Sequence, residues 1–302
     1  MRDGRHTAEV ARGAAFIDFA EALRPELHRY CSRLLGSVID GEDVVQDTLA
    51  RAFAAGEELR DVRTPRAWLF SVAHNRAMDV LRGRAIRVAE PLDAADGVVD
   101  EAAPDPEETL MRREAVKTAV SRFTELPVPQ RSVVILKDVL DEPLAGIAAL
   151  LGLTVDSVKA HLARGRARLR DINATQAAKP AARPPSALVA HYVALFNAHD
   201  WAGLKAMLAD DVRLVQATHP PRVGAADVGM FFGIYAKVDG VLLVPAWLEG
   251  REVIAVFEGA AATPAYFMRL AWRDGRIGFI GDYRHARYVM AGAELTLASG
   301  AG

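Results

Sequence analysis

The chain has 302 residues, is 51% hydrophobic, and sets 37 Lys and Arg against 39 Asp and Glu, for a formal charge of −2. This balance excludes a disordered polymer and a globally basic nucleic-acid binder, so any nucleic-acid signal must be local. The lone cysteine, Cys31, excludes a disulfide framework and a Cys-based metal site. The opening residues lack the apolar core of a signal peptide and no apolar run reaches spanning length, so the expected location is the cytoplasm.

The first segment, 14–87, reads as helical. PELHRYCSRLLG spaces Leu27, Tyr30, Cys31, Leu34 and Leu35 at three- and four-residue steps and stops at Gly36. Asp40-Gly41 reads as a turn. EDVVQDTLARAFAA follows, with Val44, Val45, Leu49, Ala52 and Phe53 on one face and Asp43, Gln46, Asp47 and Arg51 mostly on the other. A third helix begins near Thr64-Pro65, where proline suits a first turn, and ends in a basic cluster. Residues 88–108 carry eight acids, three prolines and no Lys or Arg, the composition of an acidic linker.

The second segment, 109–172, is also helical. One helix is expected over ETLMRREAVKTAVSRFTEL, and a short buried one over QRSVVILKDVL. A helix-turn-helix is expected over 141–170, with Pro143 opening its first helix, Gly152 breaking the chain and Thr154 capping the second helix. In that second helix Val155, Val158, Leu162, Gly165 and Leu169 step along one face. RGRARLR closes it with alternating arginines. Asp156, Ser157, Lys159, Ala160, His161, Ala163 and Arg164 are then placed for base edges and nearby phosphates, and Arg166, Arg168 and Arg170 for phosphates. The same pattern fits a solvated bundle helix whose basic end complements the helix dipole. The preceding helix, the break and the cap favour DNA.

Residues 173–186, rich in Ala and Pro, form a second linker. The third segment, 187–291, opens with a helix pair. Runs rich in Val, Ile, Phe, Tyr and Trp follow, separated by Asp-Gly and Glu-Gly pairs. This predicts an α+β unit with a curved antiparallel sheet.

Two motifs in the first 170 residues, DGEDVVQDTLARAF (40–53) and LPVPQRSVVILKDVLDEPLAGIAALLGLTVDSVKAHLARGRARLR (126–170), resemble the extracytoplasmic-function group of bacterial RNA polymerase sigma factors. The resemblance implies two all-α domains that bind DNA and polymerase. In the first, Asp43, Gln46, Asp47 and Arg51 would face the polymerase β′ clamp helices. The loop 57–64 with Arg63, and the next helix with His74, Asn75, Arg76, Asp79, Arg82 and Arg84, would handle the −10 promoter element. The second domain would read the −35 element and touch the β flap. The acidic linker would run through the polymerase's RNA channel. An anti-sigma factor is a further expected partner.

YVALFNAHDWAGLKAMLADDVRLV (192–215) and RDGRIGFIGDYRHARYV (273–289) resemble SnoaL-like proteins of the nuclear transport factor two-like superfamily, which form a cone with an internal pocket. The resemblance implies pocket groups at Tyr192, His219, Arg269, Asp282 and Arg284, and a regulatory role with a small-molecule ligand or partner. Neither a metal nor a cofactor is called for, and no membrane contact is expected. Two other readings stay open: a SnoaL-like isomerase or hydrolase tethered to a DNA-binding module, and a helix-turn-helix regulator that is not a sigma subunit.

Overall fold

A computed structural model describes residues 3–55, 64–88, 115–175 and 182–299. The chain divides into two compact units, Met1–Ala177 and Ala178–Gly302. Arg63, the loop around it, most of the acidic linker and the middle of the Ala/Pro linker lie outside the described residues.

In the first unit, α1 (Asp3–Leu35), α2 (Val38–Ala55) and α3 (Pro65–Val88) pack together. α1 runs through Pro25 instead of beginning there. Proline removes one helical hydrogen bond, but Ala20 and Leu23, before it, are buried in the core, and tertiary packing outweighs the local cost. Gly36 ends α1 at φ 70°, and a Cβ there would collide with a Thr124 methyl. The expected turn at Asp40-Gly41 is instead helical. The Ser37 hydroxyl accepts from the Asp40 amide and so starts α2 earlier. Gly41 serves close approach: a Cβ there would meet the Ser32 backbone at 2.7 Å.

The chain re-enters at Ala115. The single helix expected over 108–126 breaks at Thr118-Ala119, and a 3-10 turn, Val120–Glu125, follows. Arg33 donates to the Val116 carbonyl, and Thr118 pairs with Asn173, which ties down the chain entering the break. Next come α4 (Val128–Val134), prolonged by a π-helical turn Ile135–Val139, then α5 (Leu144–Leu151) and α6 (Val155–Ala174). One apolar cluster runs through all of these elements. Leu27, Tyr30 and Leu34 of α1 and Leu69 and Phe70 of α3 join Phe123, Val134, Leu136, Ile147 and Leu162.

The second unit is α+β. Helices α7 (Ala187–Asn197) and α8 (Trp201–Ala206) lead into strands β1 (Leu208–Gln216) and β2 (Arg222–Val223). Helix α9 (Ala225–Tyr235) and strands β3 (Val241–Leu248), β4 (Arg251–Glu258), β5 (Tyr266–Arg273), β6 (Arg276–Asp282) and β7 (Leu295–Leu297) complete it. The sheet order is β2-β1-β6-β5-β4-β3-β7. The sheet is mixed, because β1 and β6 pair in parallel while every other pair is antiparallel. α9 was not expected from the sequence, since its glycines mask the pattern; Val228, Phe231, Phe232 and Tyr235 bury its inner face. The last expected strand stops at Asp282, and 287–292 form a 3-10 turn.

Candidate functional site

α5 and α6 meet at 101°, within the usual helix-turn-helix range. The local causes are the expected ones. Pro143 caps α5, Gly152 closes it at φ 68°, and the Thr154 hydroxyl accepts from the Ser157 amide to start α6. Val158, Leu162, Gly165, Leu169 and Ile172 are buried. Gly165 lets α6 close on α4, since a Cβ there would stand 2.6 Å from a Val134 methyl.

On the outer side of α6, Asp156, Ala163, Arg168 and Arg170 are exposed, and Ser157, Lys159, His161 and Arg164 are half-buried. Three positions differ from expectation. Ala160, expected at base edges, is only 6% exposed. Arg166 is held by two hydrogen bonds to the buried Asp138, at 3.0 and 2.6 Å, so it pins α6 to the π turn. Val155, expected on the core face, is 38% exposed.

On α2, Asp43, Asp47 and Arg51 are exposed and Gln46 half-buried. Phe53, expected in the core, is exposed. Asp47 forms an ion pair with Arg76 of α3 at 2.8 Å, so residues expected on the polymerase face and at the −10 element meet. Asn75 is exposed, and Asp79 pairs with Arg82 at 2.6 Å. His74 turns inward to the Tyr30 hydroxyl at 2.7 Å, and burial, then the nearby Arg82, lowers its pKa. Arg84 also turns inward, donating to the Leu35 carbonyl at 2.9 Å and pairing with Asp40.

The groups that join α1 and α3 to the helix-turn-helix half were not singled out by the sequence. Arg131 is buried and donates to the carbonyls of Leu34 at 2.7 Å, Leu126 at 2.8 Å and Thr124 at 2.9 Å. Burial, then the charge of Arg84, lowers its pKa to about 10. Arg66 bridges Glu26 at 2.6 Å and Glu142 at 2.5 Å while lying over the Phe70 ring. Nothing in helical periodicity distinguishes these arginines from solvated ones.

In the second unit the five expected pocket groups separate. Asp282 is 2% exposed. Its Oδ2 accepts from Gln216 at 2.7 Å and from the Tyr235 hydroxyl at 3.4 Å, and its Oδ1 from the Arg284 amide at 3.0 Å. The Tyr266 hydroxyl completes the chain, hydrogen-bonded to the Tyr235 hydroxyl at 2.7 Å. The Tyr192 hydroxyl is buried with no hydrogen-bond partner among the described residues. The Arg284 guanidinium lies over the Tyr235 ring. Arg269 is elsewhere. It pairs with Gly281 while Met268 pairs with Asp282, so it points to the other sheet face, over Phe279. His219 is exposed and stacks on His285 at 4.4 Å between centroids. Gln216, Tyr235 and Tyr266 are the members that sequence reasoning missed. Among the described residues, no group of three or more His, Cys, Asp or Glu is placed to hold a metal, and no single helix is long and apolar enough to cross a membrane.

Two expectations follow from this geometry. Arg166→Ala leaves the Asp138 carboxylate buried without that partner and should cost roughly 3–5 kcal/mol of stability, whereas Arg168→Ala should change stability by less than about 0.5 kcal/mol. Urea melts of both variants check this, and equal midpoints would contradict it. Burial holds the Asp282 carboxyl above its ordinary range. The folded unit therefore binds this proton more tightly than the unfolded chain does. That stabilisation is full below the unfolded value of about 3.9 and is lost as pH rises through the raised folded value. Relative to Asp282→Asn, the natural protein should thus lose stability between acid and neutral pH. Urea melts of a Trp68→Phe background followed by tryptophan fluorescence read this, since the other three tryptophans, Trp201, Trp247 and Trp272, lie in the second unit. Parallel pH profiles would contradict it.

Residues 19–86 match the Sigma-70 region 2 family and residues 113–169 the Sigma-70 region 4 family. The chain is 32% identical over 222 residues to the ECF RNA polymerase sigma factor SigG of Mycobacterium tuberculosis, covering 65% of this chain and 60% of SigG. It thus spans about three-fifths of that relative's length. It is also 32% identical over 160 residues to SigL of the same organism, covering 53% of this chain and 87% of SigL. Among solved structures, the extracytoplasmic function sigma factor SigJ of M. tuberculosis aligns over 90% of this chain and 97% of its own, with 20% identity and a TM-score of 0.34. By its two region matches and its identity to SigL over most of that protein, the chain belongs to the ECF group of RNA polymerase sigma factors.

Proposed function

We propose that this chain brings core RNA polymerase to specific promoters and starts transcription there, performing no chemistry itself. The observation that carries this is the coexistence of both sigma region matches in one compact unit, the second ending in a capped helix-turn-helix whose outer side is basic. α2 presents Asp43, Asp47 and Arg51 to the polymerase clamp. α3 presents Asn75, Arg76, Asp79 and Arg82 to the −10 element. α6 presents Asp156, Ser157, Lys159, Ala163, Arg164 and Arg168 to the −35 element. The division into 14–87, 109–172 and 187–291, joined by two linkers, belongs to the same reading. So does regulation by the third segment, through a partner such as an anti-sigma factor or through a small molecule.

The first unit has a consequence for this function. Its longest described element, the 33-residue α1, spans about 50 Å. Promoter elements 25 base pairs apart are separated by roughly 85 Å of duplex. The closed unit reaches one element at a time. Reading both requires the helix-turn-helix half to leave α1 and α3 along the seam held by Arg131 and Arg66.

A second reading of the third segment rests on the Asp282, Tyr235, Tyr266 and Gln216 network with the unpartnered Tyr192 hydroxyl. Buried acid and phenol groups of this kind serve proton transfer in isomerases and hydrolases. The tethered-enzyme reading draws its support from that network alone.

Run-off transcription with purified bacterial core polymerase, on promoters selected from a random library, tests the first reading. Transcripts should appear only when the chain is added. Asp47→Lys combined with Arg51→Glu should weaken polymerase binding by tenfold or more while sparing affinity for promoter duplex. Neither residue is buried, and the change gives up only the surface ion pair of Asp47 with Arg76, worth about 0–1 kcal/mol, so the fold tolerates it. No transcripts together with no polymerase binding would overturn the reading.

A further inference from the structure

The leading end of α6 carries an apolar side chain that the core does not use. Val155 is the first residue of the helix and is 38% exposed. Leu151 and Leu153, just before it, pack on the apolar cluster and fix the turn, but Val155 is not part of that cluster. The Thr154 cap defines where the helix begins, so the placement of Val155 follows from the backbone. Helical side chains tilt toward the N-terminus. At the first position the valine methyls therefore project from the end of the helix that enters a groove first.

Its neighbour Asp156 is exposed. A carboxylate there suits the positive end of the helix dipole but repels phosphate. The first turn is thus matched to base edges and the later arginines to the backbone. Among major-groove edges, only thymine offers an apolar group, its C5 methyl; every other edge presents donors or acceptors that a valine would leave unpaired.

We propose that Val155 is a specificity-determining residue that reads a thymine methyl in the −35 element. This rests on the reading of α6 as the −35 helix. Asp156, beside it, accepts from the exocyclic amine of an adjacent cytosine or adenine.

The test uses the full chain bound to core polymerase and duplexes selected by that complex from a random library. Each −35 thymine is replaced in turn by uracil, which removes only the methyl group. Affinity is read by fluorescence anisotropy at one fixed salt concentration. One such replacement should weaken binding about fourfold, the worth of a buried methyl. Val155→Ser should bind the thymine and uracil duplexes alike, and Val155→Thr, which keeps one methyl, should retain part of the difference. The proposal is overturned if no single uracil matters, or if the same uracil costs the Ser variant as much. If scrambling the whole −35 region changes nothing, the assignment of α6 itself fails and the proposal falls with it.

Discussion

The first unit depends on a buried cation. Arg131 sits under the end of α1 and holds three main-chain carbonyls, those of Leu34, Thr124 and Leu126. A guanidinium has five donors and no acceptor, so a pocket of carbonyls is one of the few dry places that can hold it. Leu34 lies in the last turn of α1, where carbonyls lack helical partners. Arg131 supplies one such partner, and Gly36 then turns the chain away against Thr124. Arg84 adds a second donor at the Leu35 carbonyl. The end of α1, the start of α2 and the entry to the helix-turn-helix half are thereby fixed by one cluster of charges facing carbonyls.

Around that cluster the apolar core is continuous. The two halves of the first unit therefore stabilise each other, and separating them carries a cost. Separating them exposes apolar surface of Phe70, Leu136 and Ile147, and leaves Arg131 and Leu34 needing water. Any partner that holds the halves apart must offset that loss by covering the same or neighbouring surface. The ion pair between Asp47 and Arg76 ties α2 to α3 in a milder way at the surface.

Local structure was largely legible in the sequence. The start of α3 at Pro65, the Gly152 break, the Thr154 cap and the buried stripe from Val158 to Leu169 are short-range effects, and all appear where the residues put them. What the sequence hid is long-range. Periodicity assigns a face but not its partner, so the core shared between α1, α3 and α4–α6 was not visible, nor was the inward turn of Arg131. The same limit explains Arg166, which alternates with exposed arginines yet meets a buried Asp138 supplied by the π turn. In the second unit, β-rich segments were recognisable by composition. The parallel pairing of β1 with β6 joins residues about 66 positions apart, and no local pattern encodes it. Asp282 was singled out, but its partners Gln216, Tyr235 and Tyr266 come from three other elements.

The most direct test of this account is the distance between the two halves of the first unit during promoter recognition. Asp18 on α1 and Asp171 on α6 are exposed and accept dye labels through Asp18→Cys and Asp171→Cys. Cys31 is buried, and burial pushes its thiol pKa up, so it stays unlabelled. Energy transfer in the free chain should report a separation within the compact unit, no more than about 50 Å, the length of α1. On a promoter with core polymerase the separation should increase to the scale of the spacing between the two elements. An unchanged distance in a complex that transcribes would show that both elements are read without opening, and would contradict the account.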